Sequence, residues 1–107
     1  MGRFVIAFLI VSHSAWCAVA EEDARVARGK ELANTLCTQC HAIGAMGQSP
    51  NPAAPTFRKL GERLDLDTFM DRLRQGLTSG HADMPTFRFT REDARALVSY
   101  LRAIQRP

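Results

Sequence analysis

Five residues, Cys37-Thr38-Gln39-Cys40-His41, constrain this chain more tightly than any other segment of its 107. Two cysteines at i and i+3 on one tight turn present both sulfurs on the same side, and the histidine that follows at once sets an imidazole beside them. The third cysteine, Cys17, lies in a segment expected to be removed. Met1-Gly2-Arg3 is a positive start, Phe4 to Val11 is an unbroken apolar run, and Ala18-Val19-Ala20 is a small-residue site before Glu21-Glu22-Asp23. That order is the grammar of a secretory signal peptide, with cleavage expected after Ala20. Eight apolar residues fall well short of the ~20 a membrane-spanning helix needs, and bulky Trp16 before Cys17 argues against lipidation there. Residues 21–107 are then one exported domain of 87 residues, with no membrane anchor and with Cys37 and Cys40 as its sole thiols.

Charge excludes one class of partner. The 87 residues carry 13 Lys and Arg against 11 Asp and Glu, a net of +2. Nucleic-acid binding needs a dense basic face, and the modest Arg bias between Arg58 and Arg91 reads as a solvated surface.

Periodicity predicts an all-α chain of short helices and long loops. A first helix is expected from about Asp23 to about Thr35, with Val26, Ala27, Leu32, Ala33 and Leu36 as a partial apolar stripe. Residues 43–55 hold Gly44, Gly47, Pro50, Pro52 and Pro55, a composition that cannot sustain a helix. Asp65 or Asp67 can cap a second helix carrying Leu66, Phe69, Met70, Leu73 and Leu77, with Gly76 as its stop. A second loop spans roughly residues 78–89. Thr90-Arg91-Glu92-Asp93 then resembles a capping box with Asp in place of the usual Glu or Gln, and Ala94, Leu97, Val98, Leu101 and Ile104 form the stripe of a last helix. No strand or internal repeat is evident. So little helix makes a poor core for a domain this small, which needs a staple such as a metal or cofactor.

The five-residue motif supplies that staple. Its spacing is that of covalent c-type haem attachment, one thioether from each cysteine to the two vinyl groups of a single porphyrin, with His41 as the proximal iron ligand. Two other chemistries share these residue types. A thioredoxin-like dithiol wants a helix N-terminus in a βαβ setting, whereas this motif follows a helix in an all-helical chain. A zinc site needs a fourth ligand, for which His81 is the one histidine left in residues 21–107.

The sixth iron ligand is expected at Met84. Met1 leaves with the signal, Met70 sits on the apolar stripe of the second helix, and Met46 lies only five residues after His41. Five residues span at most about 18 Å, too little to round a macrocycle and reach its opposite face comfortably. Met84 has 43 residues of slack, and Pro85 biases it toward extended backbone. His81 is the rival ligand, and a core-filling role is the bland alternative for Met84. The Nδ1 hydrogen of His41 needs a backbone acceptor, for which a carbonyl in the Pro-rich loop, near Pro55, is the natural candidate. Phe57, Leu60, Phe69, Leu73, Phe87 and Leu97 can line the haem pocket, and each can equally be plain core.

With these residues in view, the chain resembles a small bacterial class I cytochrome c. The likeness runs from Gly29 to Ile104 through the five-residue motif, Pro55-Thr56-Phe57, Asp83-Met84-Pro85-Thr86-Phe87 and Leu97-Val98-Ser99-Tyr100-Leu101. It implies a cytochrome c fold wrapped around one covalent haem, with first and last helices crossing where Gly29 lets Tyr100 approach. It also implies that Pro55 accepts from His41, that Met84 is the sixth ligand, and that the protein transfers single electrons without being an enzyme itself. The expected setting is the periplasm, in a respiratory chain or beside a dehydrogenase, with a membrane oxidase or reductase as further partners. A ligand-binding or peroxidatic haem protein with a displaceable Met84 is the alternative. Residues 21–107 hold no Trp, and Leu32 or Ala33 stands where the first helix usually has an aromatic. The missing Trp removes a common hydrogen bond to a haem propionate, for which Arg58, Lys59 or Arg88 is the expected substitute.

Overall fold

The computed structural model describes residues 12–78 and 80–105. The first eleven residues, on which most of the signal-peptide reading rests, lie outside these. Three α-helices and one 3-10 helix follow in order: α1 (Ser12–Leu36), the 3-10 helix Phe57–Glu62, α2 (Leu66–Gln75) and α3 (Arg91–Ile104). Among the described residues there is no strand, and the one β-bridge joins Leu77 to Phe87. No described helix is long and apolar enough to cross a membrane.

Helix α1 begins well before the expected Asp23. Ala15, Ala18 and Ala20 are good helix formers, and Arg25 pairs with both Glu21 and Glu22 one turn upstream. This early part is helical without being packed: Trp16 is 82% and Val19 62% exposed. Burial starts at Val26 and continues at Gly29, Leu32 and Ala33, the i, i+3, i+4 face that meets α3.

That crossing is the structural centre of the domain. A Cβ on Gly29 would collide with the carbonyl of Ala96 and lie 2.7 Å from the Cβ of Tyr100, so the helices approach at a distance only glycine permits. Arg28 reaches across to Asp93 at 3.2 Å, which holds the guanidinium pKa above its ordinary value, with Glu31 adding to the effect. On α3, the Thr90 hydroxyl accepts from Asp93 N and caps the helix. Ala94, Leu97, Val98 and Leu101 are all buried, with Ile104 packed at the end of the stripe.

The second helix follows its sequence pattern closely. Asp65 accepts from Asp67 N and Thr68 N, and Gly76 ends the helix at φ +110, a backbone open to glycine and costly for other residues. Phe69 and Leu73 face inward, and Leu77 is also buried.

The 3-10 helix has no counterpart in the sequence expectations. Only two of its residues, Phe57 and Leu60, are buried, so no periodic stripe advertises it. Gln105 holds it in place instead. Its side-chain Oε1 accepts from Gly61 N at 2.7 Å, while Nε2 donates to Phe57 O and to Leu101 O, both at 2.8 Å. One amide thus joins both ends of the 3-10 segment to the end of α3.

Candidate functional site

The five-residue motif continues the hydrogen bonding of α1 as one further turn. Cys37 N donates to Ala33 O, and both Cys40 N and His41 N donate back to Cys37 O. The Thr38 hydroxyl donates to Asn34 O at 2.7 Å. The turn therefore leaves the helix well ordered by hydrogen bonds, with both cysteines half-buried. Burial pushes the Cys37 thiol from 9.0 up to about 11. A protonated, desolvated thiol is the opposite of the activated thiolate that dithiol exchange requires. Among the described residues no cluster of three His, Cys, Asp or Glu side chains is arranged to hold a bare metal ion, which leaves the zinc reading without a donor set.

The chain after the motif folds back on it. Asn51 N donates to Cys40 O, Ala42 N to Ser49 Oγ, and Phe57 N to Ala42 O. Arg58 closes the far side of this loop on Gly47 O at 2.8 Å, and the Tyr100 hydroxyl of α3 donates to Ile43 O at 2.7 Å. Within that frame the Nδ1 of His41 lies 2.7 Å from Pro55 O. Donation to that carbonyl fixes the tautomer and leaves Nε2 as the ring's free lone pair. The Phe57 ring packs against the imidazole with centroids 5.2 Å apart.

The loop that carries Met84 borders the same space as His41. Two adjoining cavities, of about 260 and 130 Å³, separate the walls and share Cys37, His41, Pro55, His81, Met84 and Phe87 in their linings. The outer one also touches Cys40, Gln39 and Asn51. The inner one runs down to α2 and α3, and Phe57, Leu60, Phe69, Leu73 and Leu97 all line it. Met46 is 86% exposed and lines neither. One cleft thus brings together two thiols and an imidazole on one wall, a thioether on the other, and apolar side chains below. That donor set fits a flat, mostly apolar macrocycle carrying a central metal and bonded at its edge through two sulfurs.

Of the cations expected beside the propionates, two bond to backbone carbonyls. Arg58 turns to Gly47 O, Arg88 to Gln75 O, and neither lines a cavity, nor does Lys59. Arg63 and Arg72 line the inner cavity instead. Arg63 follows directly on the 3-10 helix, and the direction in which that short helix points its side chains could not be read without knowing the helix was there. Gln105 was missed for the same reason.

The profile of the Cytochrome c family matches residues 26–105, beginning at the residue where α1 becomes buried. Cytochrome c-552 of Bradyrhizobium diazoefficiens is 29% identical over 104 residues, which cover 96% of this chain and 94% of that protein. No solved structure matches the chain.

Proposed function

The chain belongs to the cytochrome c family, and from that membership we propose that it is an exported one-electron carrier with a single haem c, bonded to Cys37 and Cys40 and ligated by His41 and Met84. Haem c supplies the redox centre, an iron that alternates between ferrous and ferric states. The protein's own residues supply the rest. Pro55 O holds the His41 ring in one orientation and raises its basicity as a ligand. Met84, followed by Pro85, offers a thioether from the facing wall, and a His/Met pair gives a higher reduction potential than two histidines. Phe57, Leu60, Phe69, Leu73 and Leu97 exclude water from the interior. Arg63 and Arg72 offer the two propionates cationic partners.

The observation that carries this reading is the convergence of Cys37, Cys40, His41 and Met84 on one apolar cleft. With both axial positions filled, the iron has no open site for a substrate, and no proton-transfer pair or activated nucleophile stands nearby. The protein is then a carrier, and its partners are redox proteins: a periplasmic dehydrogenase, a membrane oxidase or reductase. They would meet it at the mouth of the cleft, through small transient interfaces of the kind redox encounters use. Export is supported by the exposed start of α1, whose Trp16 and Val19 add nothing to the core and can be removed at Ala20 without loss of packing.

The purified, oxidised and reduced protein tests the proposal. The pyridine haemochrome spectrum should be that of two thioethers, acid-acetone extraction should leave the colour on the protein, and the ferric form should show the far-red band of sulfur ligation. Colour lost to the organic phase would sink the covalent attachment. A reduced protein that binds carbon monoxide readily would favour the ligand-binding or peroxidatic reading.

A further inference from the structure

His81 and Met84 are the two ends of one turn. Met84 N donates to His81 O at 3.2 Å, and such a turn keeps the Cα atoms of its first and fourth residues within about 7 Å. Both residues line both cavities, His81 exposed and Met84 half-buried. Gly80, at φ +81, immediately precedes the turn. Beyond its ends the chain is pinned to the core, by Leu77 N donating to Phe87 O at 2.8 Å and Phe89 N to Leu73 O at 2.9 Å. A rearrangement confined to residues 81–84 therefore leaves the attachment of this loop to α2 untouched.

On the reading that Met84 is the resident sixth ligand, we propose that His81 is a reserve ligand for the same coordination position. When the Met84 thioether leaves the iron, the His81 imidazole takes its place. One iron–sulfur bond breaks and one iron–nitrogen bond forms, with the ring entering as neutral imidazole and no electron transferred. Imidazole suits iron at least as well as a soft thioether does, and after signal removal His41 and His81 are the only histidines in the chain. The exchanged state keeps the iron six-coordinate and closed to outside ligands, at a lower reduction potential than the His/Met state. Displacement of Met84 then makes the protein a weaker oxidant rather than a peroxidatic one.

The test compares haem-loaded wild type with Met84→Ala, His81→Ala and the double variant. Wild type and His81→Ala should both show the far-red band. Met84→Ala should lose it yet stay low-spin in the ferric state, fail to bind carbon monoxide when reduced, and have a lowered potential. The double variant should turn high-spin and bind carbon monoxide. A high-spin, carbon monoxide-binding Met84→Ala with His81 intact overturns the proposal and leaves the Met84 assignment standing. A double variant that remains low-spin and closed also overturns it, since another group then fills the position. Absence of the far-red band from wild type overturns the Met84 assignment itself and this inference with it. Should Met84→Ala not accumulate, Met84→Leu keeps the side-chain volume and answers the same question.

Discussion

The two walls of the cleft are built to different standards. On the His41 side, the motif, the loop after it and α3 are joined by backbone and side-chain hydrogen bonds at short spacing: Asn51 to Cys40, Phe57 to Ala42, Ser49 to Ala42, Tyr100 to Ile43, and Gln105 to Phe57 and Gly61. On the Met84 side the two ends of the loop are pinned as tightly, by Leu77 N to Phe87 O at 2.8 Å and Phe89 N to Leu73 O at 2.9 Å, whereas bonds within and beside the loop are longer, with Met84 N to His81 O at 3.2 Å, Arg88 to Gln75 O at 3.3 Å and Arg72 to Thr78 O at 3.5 Å. The difference teaches which of the two proposed ligands the fold determines. His41 is held by the same network that holds the domain together, so its geometry and the global stability are one property. Met84 is presented from a segment that can be altered without unfolding what lies beneath it.

That contrast can be broken by substitution, and the largest effect is expected at the helix crossing. Gly29→Ala forces a methyl into the carbonyl of Ala96 and should destabilise the haem-loaded protein by about 3 kcal/mol, lowering Tm by at least about 10 °C in a thermal melt. A melt indistinguishable from wild type would mean the two helices do not meet as described. Gln105→Ala comes next. It strands Gly61 N, Phe57 O and Leu101 O and should cost about 2 kcal/mol in chemical denaturation, although only two residues of the sequence follow Gln105.

Tyr100→Phe should cost about 1 kcal/mol by removing the bond to Ile43 O, and its signature is in the pH dependence. Burial raises the Tyr100 hydroxyl above its ordinary value of 10.0. The folded state therefore favours the neutral phenol, and the residue's contribution is complete below pH 10 and is lost as pH climbs through the higher folded-state pKa. Denaturation curves at rising alkaline pH should show wild type losing its advantage over Tyr100→Phe. A gap that widened with pH would refute the sign. At the small end, Arg88→Ala removes a long, exposed bond on the Met84 side and should stay within about 0.5 kcal/mol. A loss as large as that of Gln105→Ala would erase the contrast between the walls.

Those elements that the sequence disclosed are the ones with a repeating reason to exist. α3 was legible because Ala94, Leu97, Val98, Leu101 and Ile104 recur on one face behind a Thr90 cap, and α2 because Asp65 and Gly76 bracket a similar run. Cys37, Cys40 and His41 were legible because their chemistry fixes their spacing. The start of α1 was not, since helix propensity extends it beyond any packed stripe. The 3-10 helix was not, because what stabilises it is an amide 44 residues away from Gly61 in the chain. Which cations face the interior was not legible for the same reason: Arg63 lines the cavity while Arg58 and Lys59 do not, and the three differ only in the direction a short, irregular helix gives them. Long-range pairing by single side chains leaves no periodic mark.

The position of Gln105 and Tyr100 at the far end of the chain also imposes an order of events. Synthesis proceeds from the N-terminus, so Cys37 and Cys40 emerge some sixty residues ahead of the groups that close the loop beside them. Until α3 arrives, Ile43 and the 3-10 segment lack the Tyr100 and Gln105 bonds that secure them beside the motif. The last turn of α3 is thus a latch on the loop beside Cys37 and Cys40, closed only by the part of the domain that is made last.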